Sequence, residues 1–300
     1  MEFGGQQAAT SDQDFEDALG DALCVFKSGG VDQDLLEQNQ AQILFYLDLE
    51  NEEIVQLDKA KGQTIKDFED DMETPLHPVL FNQYPLCKDH SLILLFAREG
   101  LPQVLSDELL GLMLQLFKLS DNSGLRVGYN SMGADCIINN LHFHVFTTEN
   151  MYGAAASKMA IESADKKLFY KSNLKHRDTD EINMYNCGIR FGEVTNYPLR
   201  ALLISPEISS EETSLEDAQE ALAHTCGVVI NLMIDMNLPH NILVTDEGMT
   251  VYVIPRKFDM VIENVPFYTS FESLCGFVKY KNKQAFEAAS EQSIEQLMRE

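Results

Sequence analysis

Basic residues are scarce in this sequence. Its 300 residues include 22 Lys and Arg against 48 Asp and Glu, which gives a formal net charge of −26. Nucleic acids and anionic membrane surfaces are recognised by clusters of Lys and Arg. We therefore expect no nucleic-acid partner and no membrane partner. A nucleotide is still compatible with this charge, because a few local cations and backbone N–H groups are enough to hold its phosphates.

Paired cysteines and long apolar runs are also missing. The six cysteines are scattered and none forms a CxxC pair, so a cysteine-based zinc site is not expected. No signal peptide is evident, and no apolar run reaches the roughly 18 residues of a transmembrane helix. Scattered free thiols fit a reducing compartment, which predicts a cytoplasmic protein.

The hydrophobic pattern predicts strands and helices in alternating groups. We expect a polar, disordered tail over residues 1–12, and residues 150–190 are weakly patterned. Strands are predicted within 43–58, 77–96, 125–147, 197–204, 240–256 and 273–281, and helices over 106–119, 214–237 and 283–299. This order predicts an α+β fold with an antiparallel sheet.

The two clearest helices begin with capping residues. Ser106 precedes the first helix, whose apolar positions Leu110, Met113, Leu114 and Phe117 form one stripe. The helix over 214–237 opens with a Ser-x-x-Asp capping box. Both are predicted to pack an apolar face against the sheet.

The stretch NLHFHVF (140–146) has the alternation of a half-buried strand. His142 and His144 fall on one face, about 6.5–7 Å apart along the backbone. A neutral imidazole whose second nitrogen is held by a hydrogen bond is a competent nucleophile towards phosphorus. Two other interpretations stay open from the residues alone: a structural histidine pair, and a pair of metal ligands, for which no carboxylate or cysteine with ligand spacing is evident.

Longer motifs around this strand resemble a known family. NLHFHVF resembles the HφHφHφφ signature of the histidine-triad nucleotidyl hydrolases and transferases. RVGYNSMGADCIINNLHFH (126–144) is similar to the matching segment of the GDP-hexose phosphorylases, the family of the GDP-L-galactose and GDP-D-glucose phosphorylases. Further stretches resemble that family in the same order: 81–103, 196–204, 238–256 and 273–300. The resemblance therefore covers roughly 77–300.

The resemblance implies a fold and a reaction. The family is similar to the galactose-1-phosphate uridylyltransferases, which implies two histidine-triad-like halves in one chain, here 13–195 with the active site and 196–300 without a nucleophile. It implies that a GDP-hexose and inorganic phosphate become hexose 1-phosphate and GDP through a guanylylated histidine. No cofactor and no metal are implied.

The resemblance also implies the site residues. His142 would be the nucleophile, with His144 as its catalytic neighbour on the strand. The residues implied to lie near the nucleotide and its phosphates are Asn82, His90, Arg98, Asn130, Ser131, Gly133, Asn140 and Arg200.

Three positions depart from the family pattern. Asn140 stands in place of the first histidine, His144 in place of a glutamine, and Asp89 in place of a glycine. His144 could favour water over phosphate as the acceptor, and a carboxylate at position 89 would repel a pyrophosphate. The alternative hypothesis is therefore a weak or inactive relative whose acidic surface binds a protein partner. The sequence leaves the oligomeric state open.

Overall fold

Eleven strands form a single antiparallel sheet in the part of the chain that this computed structural model describes. The described residues are 43–56, 74–82, 85–136, 138–153, 158–171, 187–208, 213–257 and 265–299. The strands are β1 Ile43–Asp48, β2 Glu53–Val55, β3 His77–Phe81, β4 Ser91–Leu94, β5 Leu125–Asn130, β6 His142–Thr147, β7 Asp165–Lys171, β8 Gly188–Thr195, β9 Leu202–Glu207, β10 His240–Thr245 and β11 Thr250–Pro255. The order across the sheet is β2-β1-β3-β4-β6-β5-β10-β11-β9-β8-β7.

The helices are few and mostly short. They are α1 Asp107–Leu114, continued by a 3-10 helix Gln115–Leu119, α2 Thr148–Tyr152, α3 Ala160–Ser163, α4 Leu215–Asp235, α5 Phe271–Leu274, α6 Lys283–Glu287 and α7 Glu291–Arg299. The predicted α+β fold with an antiparallel sheet is confirmed. None of the helices within the described ranges has the length and apolar character to cross a membrane.

The sheet divides into two sets of strands that meet at one pairing. Strands β1 to β6 occupy one side of the sheet and β7 to β11 the other, and only β5 and β10 pair across the boundary. In this pairing Asn130 lies opposite Asn241, and Val127 lies opposite Val244. The chain therefore builds its sheet from two sets of strands, and β7 and β8 lie in the second set although they precede residue 196.

The two long helices cover one face of the sheet. The Ser106 Oγ accepts a hydrogen bond from the Leu109 N–H at the start of α1, and Ser214 closes a capping box with Asp217 at the start of α4. The predicted stripe on α1 is buried, and it packs with Val127, Phe143 and Val244 in the larger core cluster. The predicted helix 106–119 tightens into the 3-10 form after Leu114.

A smaller apolar cluster lies on the opposite face. It includes Phe146 of β6, Ile161 of α3 and Phe271 of α5. The predicted alternation of 141–146 is confirmed, because Phe143 packs towards the helices while His144 and Phe146 contact the Phe271 ring. The two histidines therefore face away from the long helices.

Residues 150–190, which are weakly patterned in sequence, contain regular structure. Their described part includes the end of α2, α3, β7 and the start of β8. Strand β7 lies at the edge of the sheet with mostly exposed, Lys-rich residues, and therefore lacks the apolar alternation of a half-buried strand. The strand predicted at 197–204 begins later, at Leu202.

The C-terminal predictions also need correction. Residues 273–281 form no strand: the chain makes the short helix α5, reaches Gly276 at φ 113, and returns over the sheet. The predicted helix 283–299 is broken between α6 and α7, where the Ser290 Oγ accepts from the Ser293 N–H and starts a new helix. The tail predicted at 1–12 lies outside the described residues, and the domain boundary after residue 195 stays a prediction.

Candidate active site

His142 opens strand β6 with its side chain held by the backbone. Its Nδ1 lies 2.7 Å from the carbonyl oxygen of Asn140, and the side chain is 6% exposed. A carbonyl only accepts, so Nδ1 carries the proton and Nε2 keeps its lone pair. Burial lowers the pKa of His142 from its usual value. The imidazole is therefore neutral at pH 7, with an unprotonated Nε2 of fixed orientation.

The buried amide of Gln103 holds the start of this strand. Its Oε1 accepts from the His142 N–H at 2.9 Å, and its Nε2 donates to the carbonyl oxygens of His142 and Asn130 at 3.1 and 3.0 Å. The Tyr129 hydroxyl donates to the Gln103 carbonyl at 2.9 Å. Gln103 thus fixes β5 and β6 relative to one another beside His142.

His144, one strand position further along this face, is bonded to His90. The Leu86 N–H donates to Nδ1 of His90 at 3.1 Å, so His90 carries its proton on Nε2. That Nε2 lies 3.1 Å from Nδ1 of His144, which must accept, and His144 is therefore protonated on Nε2. The side-chain amide of Asn82 lies 3.3 Å from Nε2 of His90.

Burial keeps both of these histidines neutral. It lowers the pKa of His90 to about 4, with a smaller effect of the Lys279 charge. It also lowers the pKa of His144 well below its usual value, and His142, His90 and Lys279 add to that shift. The site therefore presents one lone pair on His142 and one N–H on His144.

Glu272 of helix α5 approaches the same cluster from the C-terminal set of elements. Its Oε1 lies 4.0 Å from Nδ1 of His144, and ligand-type atoms of His90, His144 and Glu272 all lie within 4.8 Å of one another. Two imidazoles and a carboxylate at this spacing could hold a metal ion. The hydrogen bonds that His90 makes with Leu86 and His144 place a proton on its Nε2. A metal ion would need the lone pair of that same nitrogen. We therefore interpret the three residues as a hydrogen-bonded cluster.

Asn130 joins the two sets of strands beside the site. Its Oδ1 accepts from the Asn241 Nδ2 at 2.6 Å and from the Phe271 N–H at 3.0 Å. Arg256 in turn donates to Oδ1 of Asn241 at 2.7 Å. The expected phosphate-binding asparagine is thus also the residue that anchors α5.

The next residues of the predicted phosphate loop face the C-terminal half. The Ser131 Oγ accepts from the His240 N–H at 2.8 Å, and Gly133, at φ 79, lies against Pro239. Both line a cavity together with Pro239 and His240. Their contact with phosphate stays a prediction.

The remaining predicted site residues are more dispersed. Asn140 is buried and its Oδ1 has no hydrogen-bond partner among the described residues. Arg98 is half-buried, beyond the end of β4. Arg200 is exposed before β9, a strand that lies about 19 Å from β6 at the usual strand spacing. The structure therefore brings together His142, His144, His90 and Asn82, with Asn130 and Asn140 adjacent.

Sequence reasoning missed residues that act from a distance along the chain. Gln103 is the last residue of the family-like stretch 81–103, and nothing in the sequence indicates that its side chain binds β5 and β6. Glu272 directly precedes the segment predicted to be a strand, and Lys279 lies within it. Nothing in the pattern connects either residue with the histidines of β6. Only the folded contacts of α5 identify them.

Comparison with known proteins supports the same relationship. The model described as "GDPGP1-like, N-terminal domain" matches residues 33–146, and "GDPGP1-like, C-terminal domain" matches 173–300. GDP-L-galactose phosphorylase 2 of Arabidopsis thaliana is 27% identical over 74% of this chain and 47% of its own length. GDP-D-glucose phosphorylase 1 of Danio rerio is 24% identical over 73% of this chain and 59% of its own length. The chain thus spans about half the length of the curated relatives it matches.

The fold is shared with a solved structure. The crystal structure of yeast Ap4A phosphorylase Apa2 in complex with AMP superposes with a TM-score of 0.50 at 14% identity, covering 73% of this chain and 71% of that one. At that identity the similarity concerns the fold alone. Because the two family models together match most of the sequence, with the quoted motifs inside them, the chain belongs to the GDPGP1-like family.

Proposed function

We propose that this chain is a guanylyltransferase that cleaves a GDP-hexose with inorganic phosphate through a covalent adduct on His142. The observation that carries the proposal is the 2.7 Å contact between Nδ1 of His142 and the Asn140 carbonyl. This contact leaves Nε2 unprotonated and fixed in direction, which is what nucleophilic catalysis by histidine requires. The similarity to GDP-hexose phosphorylases supports the choice of substrate.

The reaction consists of two displacements at the same phosphorus. In the first, Nε2 of His142 attacks the phosphorus on the guanosine side, and the bond to the bridging oxygen breaks. Hexose 1-phosphate leaves with that electron pair. In the second, an oxygen of inorganic phosphate attacks the same phosphorus, the P–N bond breaks, and its electron pair returns to Nε2. GDP leaves and the neutral imidazole is restored.

The neighbouring groups fit the charge that develops at the phosphate oxygens. The N–H on Nε2 of His144 is available to donate to a phosphoryl oxygen, since its Nδ1 is occupied by His90. Lys279 is close enough for its charge to influence His90 and His144. A fixed donor on His144 and the nearby charge of Lys279 would stabilise the transition state of both displacements.

The adduct provides the test. Wild-type protein and His142→Ala would each be mixed with GDP-glucose or GDP-L-galactose without phosphate and analysed by mass spectrometry. We expect a guanylyl-sized mass gain on wild type alone. Added phosphate should discharge it as GDP, whereas discharge by water would give GMP and identify a hydrolase.

A conservative control separates the nucleophile from its surroundings. His224→Ala removes an exposed histidine that contacts Asp107 on the helix face, and this variant should form the adduct like wild type. If wild type gains no mass and no guanine nucleotide raises its melting temperature, the enzyme proposal fails. The inactive-relative hypothesis, which Asn140 and Asp89 favour, would then stand.

A further inference from the structure

Glu272 is a buried carboxyl group without an adequate partner. It is 4% exposed, and its Oε2 has no hydrogen-bond partner among the described residues. Ionised carboxylates are costly to bury unless they are paired with a cation or fully hydrogen-bonded. The mechanism proposed above does not use this group, so its position next to His144 needs a separate explanation.

The groups that influence Glu272 come from four segments of the chain. Ser270, the Glu272 backbone N–H and the charge of Lys279 favour the ionised carboxylate, and Asp135 opposes it. From the N-terminal side, His144 lies 4.0 Å from Oε1 and His90 lies just beyond. Both imidazoles are neutral, and the proton between them belongs to His90.

Burial has the largest effect on this carboxyl. It raises the pKa of Glu272 to about 7, with a smaller contribution from Asp135. Near neutral pH the cluster therefore exists both with and without one proton. In the unprotonated form a negative charge stands directly behind the histidine that is expected to meet a phosphate.

We propose that Glu272 is a positioning residue that takes up one proton when an anionic sugar nucleotide binds beside His144. The inference rests on the proposed function, because it assigns the pyrophosphate to this face of the sheet. With the proton bound, by Glu272 itself or shared with His144, the cluster carries no net negative charge. It then repels neither the substrate pyrophosphate nor the incoming phosphate.

The sign of the pH dependence follows from linkage. A bound anion favours the protonated form and raises the pKa of Glu272 further. Above pH 7 binding must then take up a proton, and affinity should fall by up to about tenfold per pH unit. Below about pH 6 the carboxyl is already protonated, so affinity should not depend on its titration.

Titration calorimetry with GDP-glucose tests this directly, because neither phosphate of that diester titrates near neutral pH. The protein would be His142→Ala, which binds without forming the adduct, in buffers of different ionisation enthalpy. We expect uptake of close to one proton at pH 8 and nearly none at pH 5.5. Glu272→Gln in the same background should abolish the uptake and bind about tenfold tighter at pH 8.

Asp89→Asn is the matched control. Asp89 is an exposed carboxylate directly before His90, so its removal can strengthen binding at every pH but should leave the proton uptake unchanged. Proton uptake that persists in Glu272→Gln would overturn the inference, since the proton would then belong to a histidine.

The parent protein decides the matter if Glu272→Gln fails to fold. Binding of GDP-glucose to His142→Ala without proton uptake at pH 8 would overturn the role of Glu272 and leave the proposed function intact. Absence of binding at any pH, together with absence of the adduct in wild type, would overturn both.

Discussion

At the scale of single residues, the buried amide of Gln103 has its hydrogen bonds complete. Gln103 uses both side-chain atoms to bind three backbone groups of β5 and β6. Gln219 is equally buried on α4, yet neither its Nε2 nor its Oε1 has a partner among the described residues. The same amino acid thus occupies two buried positions with opposite energetic consequences.

Replacement of each glutamine by methionine should separate these consequences. Gln103→Met leaves buried backbone groups unsatisfied and should lower the free energy of unfolding by about 2–4 kcal/mol. Gln219→Met removes a buried amide that has no partner and should be neutral or stabilising by about 1 kcal/mol. Urea unfolding of both variants measures the difference in free energy of unfolding. Equal losses of stability in the two variants would show that Gln103 does not hold β5 and β6 together.

His142 could be proposed from sequence because a family motif surrounds it, and its hydrogen bond to Asn140 is local. Gln103, His90 and Glu272 reach the same site from three other segments. Alternation along one strand predicts which face a side chain occupies. It does not predict which distant segment covers that face, so the surroundings of the nucleophile required the folded structure.

At the scale of elements, the short helix α5 matters most, because it delivers Glu272. Its Phe271 ring lies over Gly128 of β5, where a Cβ would overlap the ring. The Phe271 N–H is bound by Asn130 on the same strand. A glycine in the interior of a strand normally weakens it, and here it provides the space in which the helix docks.

Gly128→Ala should therefore displace α5. We expect overpacking to lower the free energy of unfolding by about 1–3 kcal/mol. The loss should be smaller when Gly128→Ala is made in the Phe271→Ala variant, which lacks the ring that the new Cβ would meet. Gly111→Ala is the control, because its added Cβ would lie at an ordinary 3.6 Å from the Ala223 Cβ on a helix face. A Gly128→Ala penalty that is the same with and without the Phe271 ring would contradict this account.

The elements missed by sequence share one physical cause. Strand β7 and helix α5 lack the periodicity of half-buried elements, since β7 is an exposed edge and all four residues of α5 are buried. The elements with strong caps and one apolar face, such as α4 with its Ser214 box, were predicted with nearly correct bounds. A hydrophobic periodicity arises when an element packs one face against the core. It is absent both from an element that is exposed on all sides and from one that is buried on all sides.

At the scale of the whole molecule, the histidine cluster lies one strand away from the boundary between the two sets of strands. The proposed nucleophile His142 is on β6, β5 separates it from β10, and the C-terminal part of the chain contributes Glu272 and Lys279 to the surroundings of His144. Both family domains therefore contribute to one site. The formal charge of −26 makes the placement of individual cations near the cluster important for holding an anion.

Variants of Asn130 can separate two roles of this residue: the connection of the two sets of strands, and the predicted binding of phosphate. Its Oδ1 only accepts hydrogen bonds from Asn241 and Phe271, and a carboxylate can do the same. Asn130→Asp keeps both hydrogen bonds and should lower the melting temperature less than Asn130→Leu does, while the added negative charge weakens GDP-glucose binding at least several-fold. Asn130→Leu loses both hydrogen bonds and should destabilise the protein by about 2–4 kcal/mol. Calorimetry of unfolding and of GDP-glucose binding measures both effects. Unchanged affinity in Asn130→Asp would show that the pyrophosphate does not bind near Asn130, whose role would then be only to connect the two sets of strands.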